Sequence, residues 1–195
     1  MTFTAPHPAP ASASVCTCWP GATVWLTGLP SAGKSTIALA LAERLRTEHR
    51  RVEVLDGDEL RASLSSGLGF SRADRHTNVQ RIGLIAEVLA RNGILAVVPV
   101  IAPYEESRQA VRACHERSGT AYLEVHVAAP VEVCSARDVK GLYARHAQGR
   151  LTGLTGVDDP YETPRRPDTR LDTERQSVEE SVVALHALLT QRGLA

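Results

Sequence analysis

Gly28-Leu29-Pro30-Ser31-Ala32-Gly33-Lys34-Ser35 fits the pattern G-x-x-x-x-G-K-[ST] and is followed by Thr36. Its flanks decide what the pattern means. Thr23-Val24-Trp25-Leu26-Thr27 ahead of it is an apolar run of strand length, and Lys34 to Thr47 behind it carries Ile37, Leu41 and Leu45 at helical spacing. Strand, glycine loop and helix in that order make a phosphate cradle. The glycines let the backbone wrap an anion, and the helix turns its free N–H groups toward it. Lys34 then reaches the β- and γ-phosphates as a point charge, and the Ser35 hydroxyl faces the Mg²⁺ that bridges them. Leu29, Pro30, Ser31, Ala32 and Thr36 complete the ATP-binding set. A plain glycine turn before a helix is the competing reading, and a cradle alone does not separate a hydrolase from a kinase or a switch.

Outward from the cradle, Arg51 to Leu55 reads as a second strand ending in the carboxylate-rich turn Asp56-Gly57-Asp58-Glu59-Leu60-Arg61. In open α/β sheets ligands gather outside the carboxyl ends of the strands, so both aspartates are placed to act on what the cradle holds. Helix capping accounts for them equally well by position. Ser71 with Asp74 three residues on opens a long helix to about Asn92 with the stripe Val79, Ile82, Ala86 and Leu89. Arg75, Asn78 and Arg81 step along another side of it, a polar track suited to an anion or simply to solvent.

Ile94 to Val98 is a near-continuous apolar run of the kind a covered parallel strand shows, and the turn Ile101-Ala102-Pro103-Tyr104 opens a helix to about Ser118. Ala121 to Val127 alternates, which predicts a strand less evenly buried on its two faces. Pro130 starts another helix. From Asp138 to Pro164 no long periodicity survives, and Lys140, Arg145 and Arg150 lie among Gly141, Gly149, Gly153 and Gly156. A stretch this long beside a phosphate cradle reads as a lid. Thr169 to Leu171 is a short last strand, and Ser177 with Glu180 caps a final helix with the stripe Val178, Val182, Leu185 and Leu189.

Strands alternating with helices predict an α/β fold, a P-loop nucleotide kinase-like parallel sheet with helices on both faces. The 195 residues suit one globular domain from residue 21 to 195, preceded by a disordered tail over residues 1–20, rich in Ala, Pro, Ser and Thr. Acidic and basic residues balance at 22 each, which argues against a nucleic-acid partner. Four unevenly spaced cysteines and no secretory signal point to a reduced, cytoplasmic setting, with Cys16 and Cys18 as two free thiols. No apolar run has the length of a membrane span.

Together these pieces resemble the adenylyl-sulfate (APS) kinase family. The resemblance is carried by Gly28 to Thr36, Leu55-Asp56-Gly57-Asp58 with Arg61, Gly69-Phe70-Ser71, Asp74-Arg75 with Asn78, Arg81-Ile82-Gly83, and Ile101 with Pro103-Tyr104. It continues through Val133-Cys134, Arg137-Asp138, Lys140-Gly141-Leu142-Tyr143, Gly153, Thr155-Gly156, Asp158 to Glu162 and Leu171-Asp172-Thr173. The resemblance implies transfer of the ATP γ-phosphate to the 3′-hydroxyl of APS, with Asp58 beside that hydroxyl as general base or orienting group and Lys34 and Lys140 as catalytic cations. It implies Mg²⁺ on Ser35 with Asp56 supporting it indirectly, Arg137 on the ATP side, and a homodimer as one assembly. Arg61, Phe70, Arg75, Asn78, Arg81, Ile101, Ala102, Leu154 and Thr155 stand at acceptor-binding positions. Three departures stand out. Ala102 replaces the usual serine, so no phosphoserine can form there; Leu154 replaces an aromatic ring that would stack on adenine; and Pro99 replaces a small polar residue. The first two motivate a second reading, the same chemistry on another nucleoside or hydroxylated metabolite. A third is a non-catalytic nucleotide-binding subunit.

Overall fold

In the computed structural model, which describes residues 19–195, the apolar runs pair into one five-stranded parallel sheet. The strands are β1 (Ala22–Thr27), β2 (Val52–Val54), β3 (Leu95–Pro99), β4 (Ala121–Ala128) and β5 (Thr169–Asp172), in the spatial order β2-β3-β1-β4-β5. The helices are α1 (Lys34–Thr47), α2 (Gly57–Leu64), α3 (Arg72–Arg91), α4 (Glu105–Ser118), α5 (Val131–Arg137), α6 (Leu142–Ala147) and α7 (Val178–Gln191). The predicted tail lies outside the described residues except for Trp19 and Pro20. There the Arg50 guanidinium sits 4.3 Å over the Trp19 ring and donates to the Pro20 carbonyl at 3.1 Å.

Alternation along the central strands sorts side chains onto two faces. Val24 and Leu26 of β1, Leu95 and Val97 of β3, and Val125 and Val127 of β4 pack with Ile37, Leu41 and Leu45 of α1 and Leu185 and Leu189 of α7. Trp25, Ala96, Val98 and Tyr122 pack on the other side with Val79, Ile82 and Ala86 of α3 and Val111 of α4. Both faces of the sheet are therefore covered, as parallel pairing requires. The Ser71 hydroxyl accepts from the Asp74 N–H at 3.1 Å, and Ser177 and Glu180 form a reciprocal capping box on α7. These caps start the helices where the sequence placed them.

Two expectations are corrected. Strand β4 is buried on both faces, from Tyr122 to Ala128. Glu124 and His126 find partners under α4 and the 160s segment instead of solvent: the Glu124 carboxylate accepts from Arg108 at 2.8 Å, and the His126 ring stacks on Tyr161 at 6.1 Å. Burial pushes the His126 pKa down to about 4, so the ring is neutral at physiological pH. The stretch 138–164 is also less irregular than its glycines suggest. It contains α6 and a bridge between Thr155 and Asp159, tied by the Asp158 carboxylate accepting from the Gly153 and Leu154 N–H groups.

On α1, Leu41 is fully buried and Leu39 faces solvent. Leu41→Ala is expected to lower the unfolding free energy by about 2–5 kcal/mol and Leu39→Ala by no more than about 0.5 kcal/mol. Urea titration of the two variants checks this, and equal shifts would contradict the assignment of the buried face.

Candidate active site

The carboxyl ends of β1, β2, β3 and β5 open onto one cleft of about 460 Å³, lined by the loop after β1, the Asp56–Arg61 turn, Phe70, the α3 residues Arg75, Asn78 and Val79, the 99–103 turn, Arg137, Lys140 and Thr173. The loop's shape is dictated by close approach. A Cβ on Gly28 would stand 2.3 Å from the Val127 carbonyl oxygen, and Gly33 caps α1 in the left-handed region at φ 100°. Lys34, on the first residue of α1, is buried, and its Nζ donates to the carbonyls of Gly28 at 3.0 Å and Leu29 at 2.7 Å. Desolvation lowers its pKa from the ordinary 10.5 to about 8.

Asp56 satisfies both readings of the acidic turn. One carboxylate oxygen caps α2 by accepting from the Asp58 N–H at 2.9 Å, and the other accepts from the Ser35 hydroxyl at 2.8 Å. A hydroxyl and a carboxylate at this spacing beside a phosphate cradle suit Mg²⁺, which takes few protein oxygens and keeps waters and phosphates as its other ligands. Among the described residues no cluster of three or more His, Cys, Asp or Glu is placed to hold a metal. Asp58, in the first turn of α2, reaches across to Lys140 and accepts from its ammonium, so two of the three sequence-predicted catalytic groups meet over the cleft.

Arg61 lies 4.2 Å over the Phe70 ring and also donates to the Gly69 carbonyl. Phe70 is 67 % exposed, the single aromatic ring among the lining residues. Arg75 is buried and bound on several sides, donating to Phe70 O at 2.9 Å, Thr155 Oγ1 at 2.9 Å and Gly153 O at 2.7 Å, with Asp159 at 3.0 Å. It joins the start of α3 to the 153–159 segment. Asn78 lines the cleft, and its Oδ1 is buried with no protein partner, a placement suited to accepting from a ligand. Ile101 and Ala102 line the same wall, Ala102 at φ 42°.

The profile of the adenylylsulphate kinase family matches residues 20–172. The chain is 47% identical over 173 residues to the adenylyl-sulfate kinase of Picosynechococcus sp., covering 89% of this chain and 96% of that protein. The chain belongs to the adenylylsulphate kinase family. The probable adenylyl-sulfate kinase of Synechocystis sp. is 50% identical over 162 residues, covering 83% of this chain and 89% of that protein. Among solved structures, the Mycobacterium tuberculosis APS kinase in complex with AMPPNP and APS superposes with a TM-score of 0.85 at 41% identity, covering 88% of this chain and 98% of that one.

Within this adenylylsulphate kinase family member, three predicted acceptor residues stand apart from the cleft lining. Arg81 is exposed and donates to the Leu64 carbonyl at 2.6 Å, tying α3 to the end of α2. Leu154 is only 4 % exposed and packs into the core on the α1 side with Tyr143. Thr155 is buried as the partner of Arg75. Arg137 lines the cleft and donates to the Thr173 carbonyl. Thr173 was not singled out from the sequence as a site residue. Its hydroxyl donates to the Ala32 carbonyl at 2.8 Å and braces the phosphate loop, and its place just beyond a parallel strand was the available signal. Tyr143 braces the loop as well, donating to Pro30 O at 3.1 Å across 113 residues of chain, for which no local signal exists. Among the described residues no helix is long and apolar enough to cross a membrane.

The Lys34 pKa sets a pH dependence. Between about 8 and 10.5 the folded chain has lost this proton while the unfolded chain keeps it. In that window Lys34's contribution to stability rises with pH while its attraction for phosphate falls. The KM for ATP is expected to rise about tenfold per pH unit above pH 8, and initial rates across the neutral to alkaline range check it. A flat KM would show that this proton is not linked to nucleotide binding.

Proposed function

We propose that this chain, an ATP-dependent adenylyl-sulfate kinase by family, transfers the γ-phosphate of ATP to the 3′-hydroxyl of APS in the cleft described above. The observation that carries the residue assignment is the meeting of Asp58 and Lys140 over the phosphate loop. The loop from Gly28 to Thr36 binds the ATP phosphates, with the Lys34 ammonium leaving the loop carbonyls for the phosphate oxygens. Ser35 and Asp56 would hold Mg²⁺, which when bound neutralises charge on the β- and γ-phosphates.

Asp58 accepts a hydrogen bond from the acceptor 3′-hydroxyl and orients it for in-line attack. The O3′–P bond forms as the bond from γ-phosphorus to the ADP oxygen breaks, and the hydroxyl proton passes to the Asp58 carboxylate. Lys140, freed from Asp58, meets the charge on the transferring group, so alignment and electrostatics carry the barrier reduction more than basicity does. Arg61, Phe70 and Asn78 hold the acceptor, with the Phe70 face available to its base and the Asn78 amide oxygen to a hydroxyl. Ala102 offers no hydroxyl, so transfer is direct. Segment 138–164 acts as the lid, with Lys140 on its inner side.

The deciding experiment supplies ATP with APS, adenosine, AMP or 3′-dephospho-CoA and identifies the product by mass. Preference for APS, phosphorylated on its 3′-oxygen, is expected; faster use of a non-sulfated nucleoside would replace the acceptor assignment. Asp58→Asn is expected to lower kcat by about 10²–10⁴ with ATP affinity retained, as read by steady-state rates and calorimetry with AMPPNP. Unchanged turnover would remove Asp58 from the reaction.

A further inference from the structure

Arg108, on the first turn of α4, is fully buried, yet it is remote in sequence from the phosphate loop and from the acidic turn. Its guanidinium serves four acceptors. Nε donates to Glu124 Oε1 on β4 at 2.8 Å, Nη1 to the Ala102 carbonyl at 2.7 Å, and Nη2 to Glu105 Oε2 at 2.5 Å and the Glu162 carbonyl at 2.7 Å. Two of these acceptors are backbone carbonyls in functionally different places. Ala102 lies on the acceptor wall of the cleft, and Glu162 lies at the trailing end of segment 138–164.

The 101–103 turn has no regular structure to hold it, and each of its three carbonyls is tied to a different part of the fold. Ile101 O accepts from Thr27 Oγ1 of β1 at 2.6 Å, Ala102 O from Arg108, and Pro103 O from the Glu162 N–H at 2.8 Å. Glu162 is held further through its carboxylate, which accepts from the Glu105 N–H at 2.7 Å and pairs with Arg72 at 3.7 Å. Ala102 sits at φ 42°, a backbone state that an alanine keeps only where its neighbours enforce it. The Nη1 bond to its carbonyl is such a constraint. A planar fork is needed: Nε, Nη1 and Nη2 point in fixed divergent directions, and the single nitrogen of a lysine cannot serve β4, the turn and the lid end together.

We propose that Arg108 is a positioning residue for the acceptor half of the site, holding the 101–103 wall and the trailing end of the lid in register. The proposal rests on the kinase reading given above. It separates the two substrates: the ATP cradle is braced by Thr173, outside segment 138–164, and by Tyr143 near the leading end of that segment, so loss of the Arg108 fork acts on the acceptor wall and on the trailing end of the segment at Glu162 while the nucleotide side stays intact.

The test uses the full chain with Arg108→Lys, which keeps a positive charge beside Glu124, and Glu105→Ala, which removes one outer partner of the same guanidinium. Each is compared with the parent protein for thermal melting, AMPPNP affinity by calorimetry, kcat and KM for APS, and the rate of trypsin cleavage at Arg150 and Arg165. For Arg108→Lys the expected result is AMPPNP affinity within about threefold, an APS KM raised about tenfold or more, and faster cleavage that APS no longer slows. Glu105→Ala is expected to shift the same quantities in the same direction by less, and it carries the test if Arg108→Lys fails to melt cooperatively. Folded variants with equal losses for AMPPNP and APS, or with unchanged APS KM and cleavage, would overturn the proposal. A parent protein that ignores APS would overturn the acceptor assignment instead. Arg108 would then be judged by whether cleavage speeds up while AMPPNP affinity holds.

Discussion

The buried ammonium of Lys34 has to be held by something, and in this fold the carbonyls of Gly28 and Leu29 hold it. An isolated buried charge is costly, so the loop that will wrap a phosphate chain is already wrapped around its own cation. The same burial that lowers the Lys34 pKa strengthens its attraction for an anion once one displaces those carbonyls, because the surrounding dielectric is low. Gly28 makes the arrangement sterically feasible by letting the loop pass against the Val127 carbonyl, and Thr173 and Tyr143 fix the loop from outside.

A second constraint governs the acceptor side. Polar groups that the sheet cannot satisfy are collected around Arg108, Glu124 and Glu162, and their hydrogen bonds shape a turn that has no ladder or helix of its own. A buried ion pair of this kind is weak evidence for stability, since its desolvation offsets much of its attraction. Its value here is geometric, because it fixes the Ala102 carbonyl directly and, through Glu162, the Pro103 carbonyl beside the cleft. The two halves of the site thus differ in what fixes them: close backbone packing around the phosphate loop, and a charged network around the acceptor wall. Asp58 and Lys140, both exposed and paired with each other, stand between the two halves.

The departures from the family pattern separate on structural grounds. Ala102 is on the cleft wall, so its missing hydroxyl bears directly on the route of transfer. Leu154 has turned into the core, where a leucine completes apolar packing with Tyr143 and α1, and Phe70 is left as the ring that faces the cleft. For Pro99 the structure offers only a place, the last paired position of β3 opposite Leu26, where its missing N–H is tolerated.

The sequence by itself determined the parallel α/β fold, the α1 and α7 boundaries with their apolar stripes, the phosphate loop and the family. Those features rest on short-range patterns: periodicity, caps and a glycine spacing that backbone geometry demands. Asp56 was legible only as an ambiguity, since one carboxylate can cap a helix and meet Ser35 at once. Tertiary structure decided what depends on partners far away in the chain. It buried both faces of β4, because the partners of Glu124 and His126 come from α4 and the 160s segment; it moved Leu154 into the core and Arg81 away from the cleft lining. It also gave Arg108 its place, because a guanidinium's role is set by the acceptors around it, and these come from three separate stretches of chain, around residues 102–105, at Glu124 and at Glu162.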